Sequence, residues 1–229
     1  MKMSLIIKSI LRSVAVYYSR CEKQALRISK HKRYRLALHF AKRITEYKLA
    51  KELFNRGKEI ILSPEAQVMK TFIQHGETTV FEHCLAVAKY SLLMAHFLER
   101  TLKIKVDRDS LVRGALRHDY FLYDWHDKAV PGRRVHGFTH PGVAMRNADR
   151  DFGLNDIERD IISKHMFPLT PFLPMHRESY IVTLADKWCA LAETFKIDVS
   201  SYIIYRVNFN IALADGDYSI DYGETKAEF

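Results

Sequence analysis

Residues 111–127, LVRGALRHDYFLYDWHD, constrain this chain more than any other stretch. Asp109 or Ser110 can cap a helix there. Leu111, Ala115 and His118 fall on one face of it, and the helical pattern ends in the adjacent pair His118-Asp119. An imidazole beside a carboxylate offers one metal ion two different ligands. A His-Asp dipeptide alone says little; its weight here comes from His83 upstream and from His136, His140, His165 and Asp186 downstream. His83 precedes His118 by 35 residues, and intervals of 21, 25 and 21 residues lead from Asp119 through His140 and His165 to Asp186.

The segments that carry these residues read as helix. Residues 83–98 align His83, Val87, Tyr90 and Met94 at helical spacing. Residues 155–165 align Ile157, Ile161 and Ile162 towards His165, with Asn155 or Asp156 as the cap. Residues 179–195 are apolar nearly all round (Ile181, Val182, Leu184, Trp188, Leu191), which predicts a buried central helix. Asp186 lies inside it, and a buried carboxylate must be ion-paired, hydrogen-bonded or metal-bound. Lys187 faces another way on the wheel and is a poor partner for it. No run of alternating residues predicts a strand, and nine Gly and six Pro argue against a loop-rich β architecture. The expected fold is all-α.

Charge divides the chain in two. Residues 1–60 hold 16 Lys/Arg against 4 Asp/Glu, whereas the remaining 169 hold 20 against 23, so the formal charge of +9 belongs to the N-terminal quarter. There Met3, Ile6, Ile10, Val14 and Tyr17 form one helical stripe, and Leu36, Phe40, Ile44 and Tyr47 a second. The pattern predicts a basic amphipathic helical extension over 1–60. It either packs on the body with its charge in water or meets nucleic acid or an anionic surface. Breaks at Gly57 and Ser63-Pro64 place the start of the main domain, 61–200, and residues 201–229 form a C-terminal segment whose structure the pattern leaves open.

No run reaches the ~18 apolar residues of a membrane span, and the N-terminus is too charged for a signal-peptide core. Three scattered cysteines, Cys21, Cys84 and Cys189, without a CxxC fit a reducing compartment. A cytoplasmic protein is expected. Cys84 follows His83, but helical neighbours point about 100° apart, so it is not expected at a metal.

The order His, His-Asp, His, His and a final Asp in an LADK helix resembles the HD-domain metal-dependent phosphohydrolases. The resemblance covers roughly residues 77–195, through EHCLAVAKYSLLMA, GALRHDYFLYDW, HGFTHPGVAM, IISKHMFP and IVTLADKWCAL. It implies an HD-type helical bundle in which His83, His118, Asp119 and Asp186 hold a first metal. Asp119 would bridge to a second, held by His140 and His165. His136 could replace His140, but the Pro-Gly-Val-Ala after His140 resembles the family's helix start and favours His140. His136 then stands behind the ligands or against a phosphate.

Four imidazoles and two carboxylates suit one or two ions of Mn, Fe, Zn, Co or Ni, whereas Mg and Ca prefer oxygen shells. Water on such an ion ionises near neutral pH. Asp119, His136 and Lys128 are the expected catalytic groups, and Arg133 and Arg134 the expected phosphate clamp beside Lys128. Tyr120, with Phe121, Tyr123 and Trp125, either lines a pocket that stacks a base or packs in the core. Asp124 and Asp127 are further candidates for acid-base work.

Tyr120-Phe121-Leu122-Tyr123 follows the His-Asp pair where a signalling-diesterase subgroup has Ile-Gly-Lys, and no GYP triplet occurs. The Glu-Asp pair of the guanosine tetraphosphate hydrolases is absent too, and Met166 stands where some binuclear members carry an adjacent second His. The implied function is hydrolysis of a phosphate ester on a nucleotide or small phosphorylated metabolite. The alternatives are a cyclic or linear dinucleotide phosphodiesterase and a non-catalytic metal- or nucleotide-binding module that contacts nucleic acid through the basic N-terminus.

Overall fold

The computed structural model describes residues 32–127 and 135–197, with side chains from residue 45 onward. The first basic stripe, the segment holding Lys128, Arg133 and Arg134, and the C-terminal segment lie outside the described residues. The chain divides into two compact units, Met1–Tyr47 and Lys48–Phe229, and apart from residues 32–47 all that is described below belongs to the second.

The regular elements among the described residues are helical apart from one small hairpin. The helices are α1 (Lys32–Ile61), α2 (Pro64–Val68), α3 (Val80–Phe97), α4 (Arg108–Arg117), α5 (His136–Phe152), α6 (Asp156–Lys164) and α7 (Arg177–Thr194). The expectation of an all-α fold holds. Strand β1 (Ile73–His75) pairs antiparallel with β2 (Thr78–Thr79) just before α3. Strands this short have no room for the alternation that would announce them.

Local chemistry sets the helix starts. Ser63 caps α2 by accepting from Ala66 N. Thr79 and Glu82 close a capping box at α3, as Asn155 and Glu158 do at α6. The cap of α4 is Asp107, whose carboxylate accepts from Asp109 N and Ser110 N, so the two residues expected as caps lie inside the first turn. Helix α5 starts at His136 and carries Pro141 inside it, rather than starting after His140. Gly57 does not break α1. A Cβ there would collide with the Leu116 side chain, so glycine is what admits the end of α4.

Helix α3 packs against α4 and α7, α6 lies against α4, α5 and α7, and Leu85, Val87, Leu92, Leu111, Val112, Ile161, Ile162 and Val182 meet in the core. Each such side chain contributes about 1.5–3 kcal/mol by leaving water. Gly114 lets α4 and α6 close together, since a Cβ on it would stand 2.5 Å from Ile161 Cδ1. Helix α7 is not buried all round: Ile181, Val182, Ala185 and Cys189 face inward, but Trp188 is 47% and Leu191 54% exposed. It lies on the outside of the bundle with a single stripe inside. Among the described residues no helix is long and apolar enough to cross a membrane.

Two polar clusters fix the helices that matter most. Fully buried Arg117, at the end of α4, is ion-paired with Glu158 (2.9 Å), donates to Arg113 O (2.8 Å) and lies over the Phe152 ring. Glu158 also takes Arg113 Nε at 2.9 Å while closing the α6 cap. Buried Asp160 accepts from Met175 N, His176 N and Ser179 Oγ at 2.8, 2.9 and 2.6 Å, which pins the start of α7 to α6.

Candidate metal centre

The helices deliver their ligand-type residues to one buried place. His118 and His165 are the residues that terminate α4 and α6; His83 lies in the first turns of α3, His140 in those of α5, and Asp186 midway along α7. His118 Nδ1 donates to Ala115 O, His140 Nδ1 to His136 O and His165 Nδ1 to Ile162 O, at 2.8, 2.8 and 2.9 Å. A carbonyl can only accept, so Nδ1 carries the proton of each neutral ring and Nε2 faces the centre with its lone pair.

Asp119 stands between two groups of imidazoles. Its Oδ2 lies 3.5 Å from His118 Nε2 and 4.0 Å from His83 Nε2, and Asp186 Oδ1 closes that group at 3.7 and 3.2 Å from the same nitrogens. Its Oδ1 lies 3.2 Å from His140 Nε2 and 3.4 Å from His165 Nε2. The six residues singled out in the sequence thus come together as two sets, His83/His118/Asp186 and Asp119/His140/His165, each close enough to share an ion.

The electrostatics follow from burial opposed by proximity. Burial would raise the Asp119 carboxyl, yet His118, His140 and His165 hold it well below the usual carboxylate range. Asp186 is lowered likewise against burial, by His118 and His83. Burial would lower His83, but Asp186 and Glu193 raise it to about 10, and His118 is raised beside Asp119. His165 goes the other way, to about 4, through burial and through His140 and His118. His118 Nε2 and Asp119 Oδ1 remain buried with no hydrogen-bond partner among the described residues. Such a set, rich in lone pairs and poor in donors, fits a divalent metal ion.

Several residues around the centre went unread in the sequence. Gln74, on β1, donates to Asp119 Oδ2 at 2.6 Å. Glu193 Oε2 takes His83 Nδ1 at 2.9 Å, and His75 sets its ring edge-on to His83. The spacing of Glu193, seven residues after Asp186 and so on the same face of α7, was a usable signal; the strand residue Gln74 gave none. Lys187 does reach Asp186, with Nζ 2.8 Å from Oδ2, and also meets His165 O at 3.2 Å. Wheel position misled because a four-carbon stem can fold back along the helix.

The remaining candidates separate clearly. His136 is not in either set; its ring is stacked between Trp125 (5.0 Å) and His140 (4.6 Å), with Tyr123 Oη 3.0 Å from Nδ1. Burial, aided by His140, lowers it to about 4. Tyr120 is fully buried, its hydroxyl donating to Asp151 and its ring against Phe152, which places it in the core and not on a pocket wall. Cys84 lies 3.8 Å from His118 Nδ1, on the side of the ring away from the centre. Asp124 is exposed and pairs with His126. Lys128, Arg133 and Arg134 lie outside the described residues.

Comparison with known proteins agrees with this geometry. Residues 80–191 match the family model of the HD domain, and the matched stretch contains all six residues. A dihydroneopterin 2′,3′-cyclic phosphate phosphodiesterase from Methanocaldococcus jannaschii is 31% identical over 116 residues. The match takes in 48% of this chain and 46% of that relative, so the chain spans less than half the length of the curated relative it matches. No solved structure matches the chain.

Proposed function

We propose that this protein is a metal-dependent phosphohydrolase that cleaves a small phosphate ester with water activated at the His/Asp centre. The observation that carries the proposal is Asp119, which turns one carboxylate oxygen to each of two imidazole sets. In this reading His83, His118, Asp119 and Asp186 hold one ion and Asp119, His140 and His165 a second, drawn from Mn, Fe, Co, Ni and Zn. Bound there, a divalent metal would bring a coordinated water close to ionisation at neutral pH and offset the charge of the phosphate.

The protein supplies the rest. Gln74 holds Asp119 by its Oδ2 edge, and Lys187 steadies Asp186. With the Tyr123 hydroxyl donating to Nδ1, the neutral His136 ring keeps an Nε2 proton for a phosphate or leaving-group oxygen. Lys128, Arg133 and Arg134, in the segment just before α5, supply counter-charge for the phosphate. The substrate class placed first is a 2′,3′-cyclic phosphate diester of a small heterocyclic metabolite or nucleoside. Support comes from the linkage named for the archaeal relative, and the lack of the Ile-Gly-Lys and GYP features sets cyclic dinucleotides behind it.

The test uses the full chain, stripped of metal and reloaded with Mn²⁺. It should hydrolyse 2′,3′-cyclic nucleotides faster than p-nitrophenyl phosphate, and Asp119→Asn should hydrolyse neither. Turnover that survives Asp119→Asn, or metal-loaded protein inert on both esters with every one of the five metals, would overturn the proposal.

A further inference from the structure

We infer that Glu193 is a positioning residue for His83 and makes the His83/His118/Asp186 half of the centre the tighter of its two metal positions. The inference rests on the metal-centre reading above and concerns a residue outside the ligand set.

Three of the four imidazoles in the centre, those of His118, His140 and His165, give Nδ1–H to a neutral backbone carbonyl. His83 instead gives it to a carboxylate, Glu193 Oε2 at 2.9 Å. Its other nitrogen faces Asp186 Oδ1 at 3.2 Å. Asp186 and Glu193 are two turns apart on α7, so one helix grips the ring at both nitrogens. A carboxylate behind a ligating imidazole fixes its orientation and raises the electron density at the ligating nitrogen; losing such a partner costs 10–100-fold in metal affinity. His140 and His165 have no such backing, which makes the two halves unequal.

The cost of Glu193 argues in the same direction. It is buried, and its Oε1 has no hydrogen-bond partner among the described residues. A carboxylate with half its acceptor capacity unused inside a protein is expensive, and an uncharged side chain would pack there at less cost. What an uncharged side chain cannot do is put a full negative charge behind His83. His75 is a further imidazole beside it, with a ring nitrogen within 4.8 Å of the Glu193 carboxylate.

The experiment is a Mn²⁺ titration of the metal-stripped full chain, followed by calorimetry, for wild type, Glu193→Gln and Glu193→Asp. Gln keeps an acceptor for Nδ1–H but loses the charge; Asp keeps the charge but is one methylene too short. Wild type should show two unequal sites. Both variants should lose 10–100-fold at the tighter site while the weaker site keeps its affinity. If either folded variant binds Mn²⁺ as wild type does, the inference is wrong. It is equally wrong if both sites weaken together, since that result marks a scaffold role. Wild type that binds no metal at all would instead remove the metal-centre reading, and this inference with it.

Discussion

His140 and His165 bring their Nε2 atoms within 2.8 Å of each other, although each ring has its Nδ1 proton committed to a backbone carbonyl. Two lone pairs so close, beside a carboxylate oxygen at 3.2 and 3.4 Å, repel unless a cation or a shared proton lies among them. The first prediction follows. Asp119→Ala or His118→Ala should abolish metal retention while helical circular dichroism persists, whereas His140→Ala should remove one equivalent and leave the other. Elemental analysis of the purified variants decides it, and full occupancy in Asp119→Ala or His118→Ala would sink the site assignment.

Metal should stabilise the fold as well as complete the site. An ion present at 100 times its Kd adds about 2.7 kcal/mol to the native state, or roughly 5–11 °C in melting temperature for a chain of this size. Calorimetric scans with Mn²⁺ and with excess chelator should differ by that amount. Superimposable scans would mean that no ion prefers the folded protein.

The clamp between α4 and α6 should be the costliest polar feature to break. Arg117→Ala leaves buried Glu158 beside an empty space with Arg113 Nε as its remaining cation, at a cost of up to about 3–5 kcal/mol, that of breaking a buried pair outright. Gly114→Ala at the same seam forces the Ile161 side chain aside, at about 1–3 kcal/mol. Urea denaturation of both variants checks the order, and an Arg117→Ala protein as stable as wild type would show that the pair is not buried in solution.

Asp160 should give stability a specific acid limb. Burial would raise its carboxyl, but Lys164, Ser179 and the amides of His176 and Met175 lower it below the ordinary value. A carboxyl with a folded pKa below its unfolded one stabilises fully above about pH 4, and that contribution is lost as pH falls through the folded value. Asp160→Asn should therefore be less stable than wild type by about 2 kcal/mol at pH 7, and the gap should close below pH 4. A gap that stays constant from pH 7 to pH 3 would remove Asp160 ionisation from the account.

The six residues of the centre were legible because they are ligand-type side chains placed at helix ends or inside apolar helices, where a polar group needs a reason to be. Asn155 was legible as a cap by the same logic of local hydrogen bonds. Burial was harder to read. Trp188 and Leu191 extend the apolar pattern of α7 around the wheel, yet they face outward, because hydropathy counts apolar residues without knowing which side a neighbour covers. Gln74 was invisible because a three-residue strand has no period, and Gly57 was taken for a helix break because glycine marks close approach as readily as it marks a turn. Lys187 was dismissed on wheel angle, a measure that holds for short side chains better than for long ones.

His118 and His165 do more than offer nitrogen lone pairs. Each terminates its helix, and each gives Nδ1–H to a last-turn carbonyl, one of those that a helix end leaves short of donors. Chain reversal and ligand aim are therefore written into the same hydrogen bond. Truncating either imidazole uncaps a helix as well as emptying a coordination position, so loss of metal and fraying of the helix end arrive together. Asparagine, which offers a short amide N–H but no imidazole nitrogen, is the substitution that can pull the two duties apart.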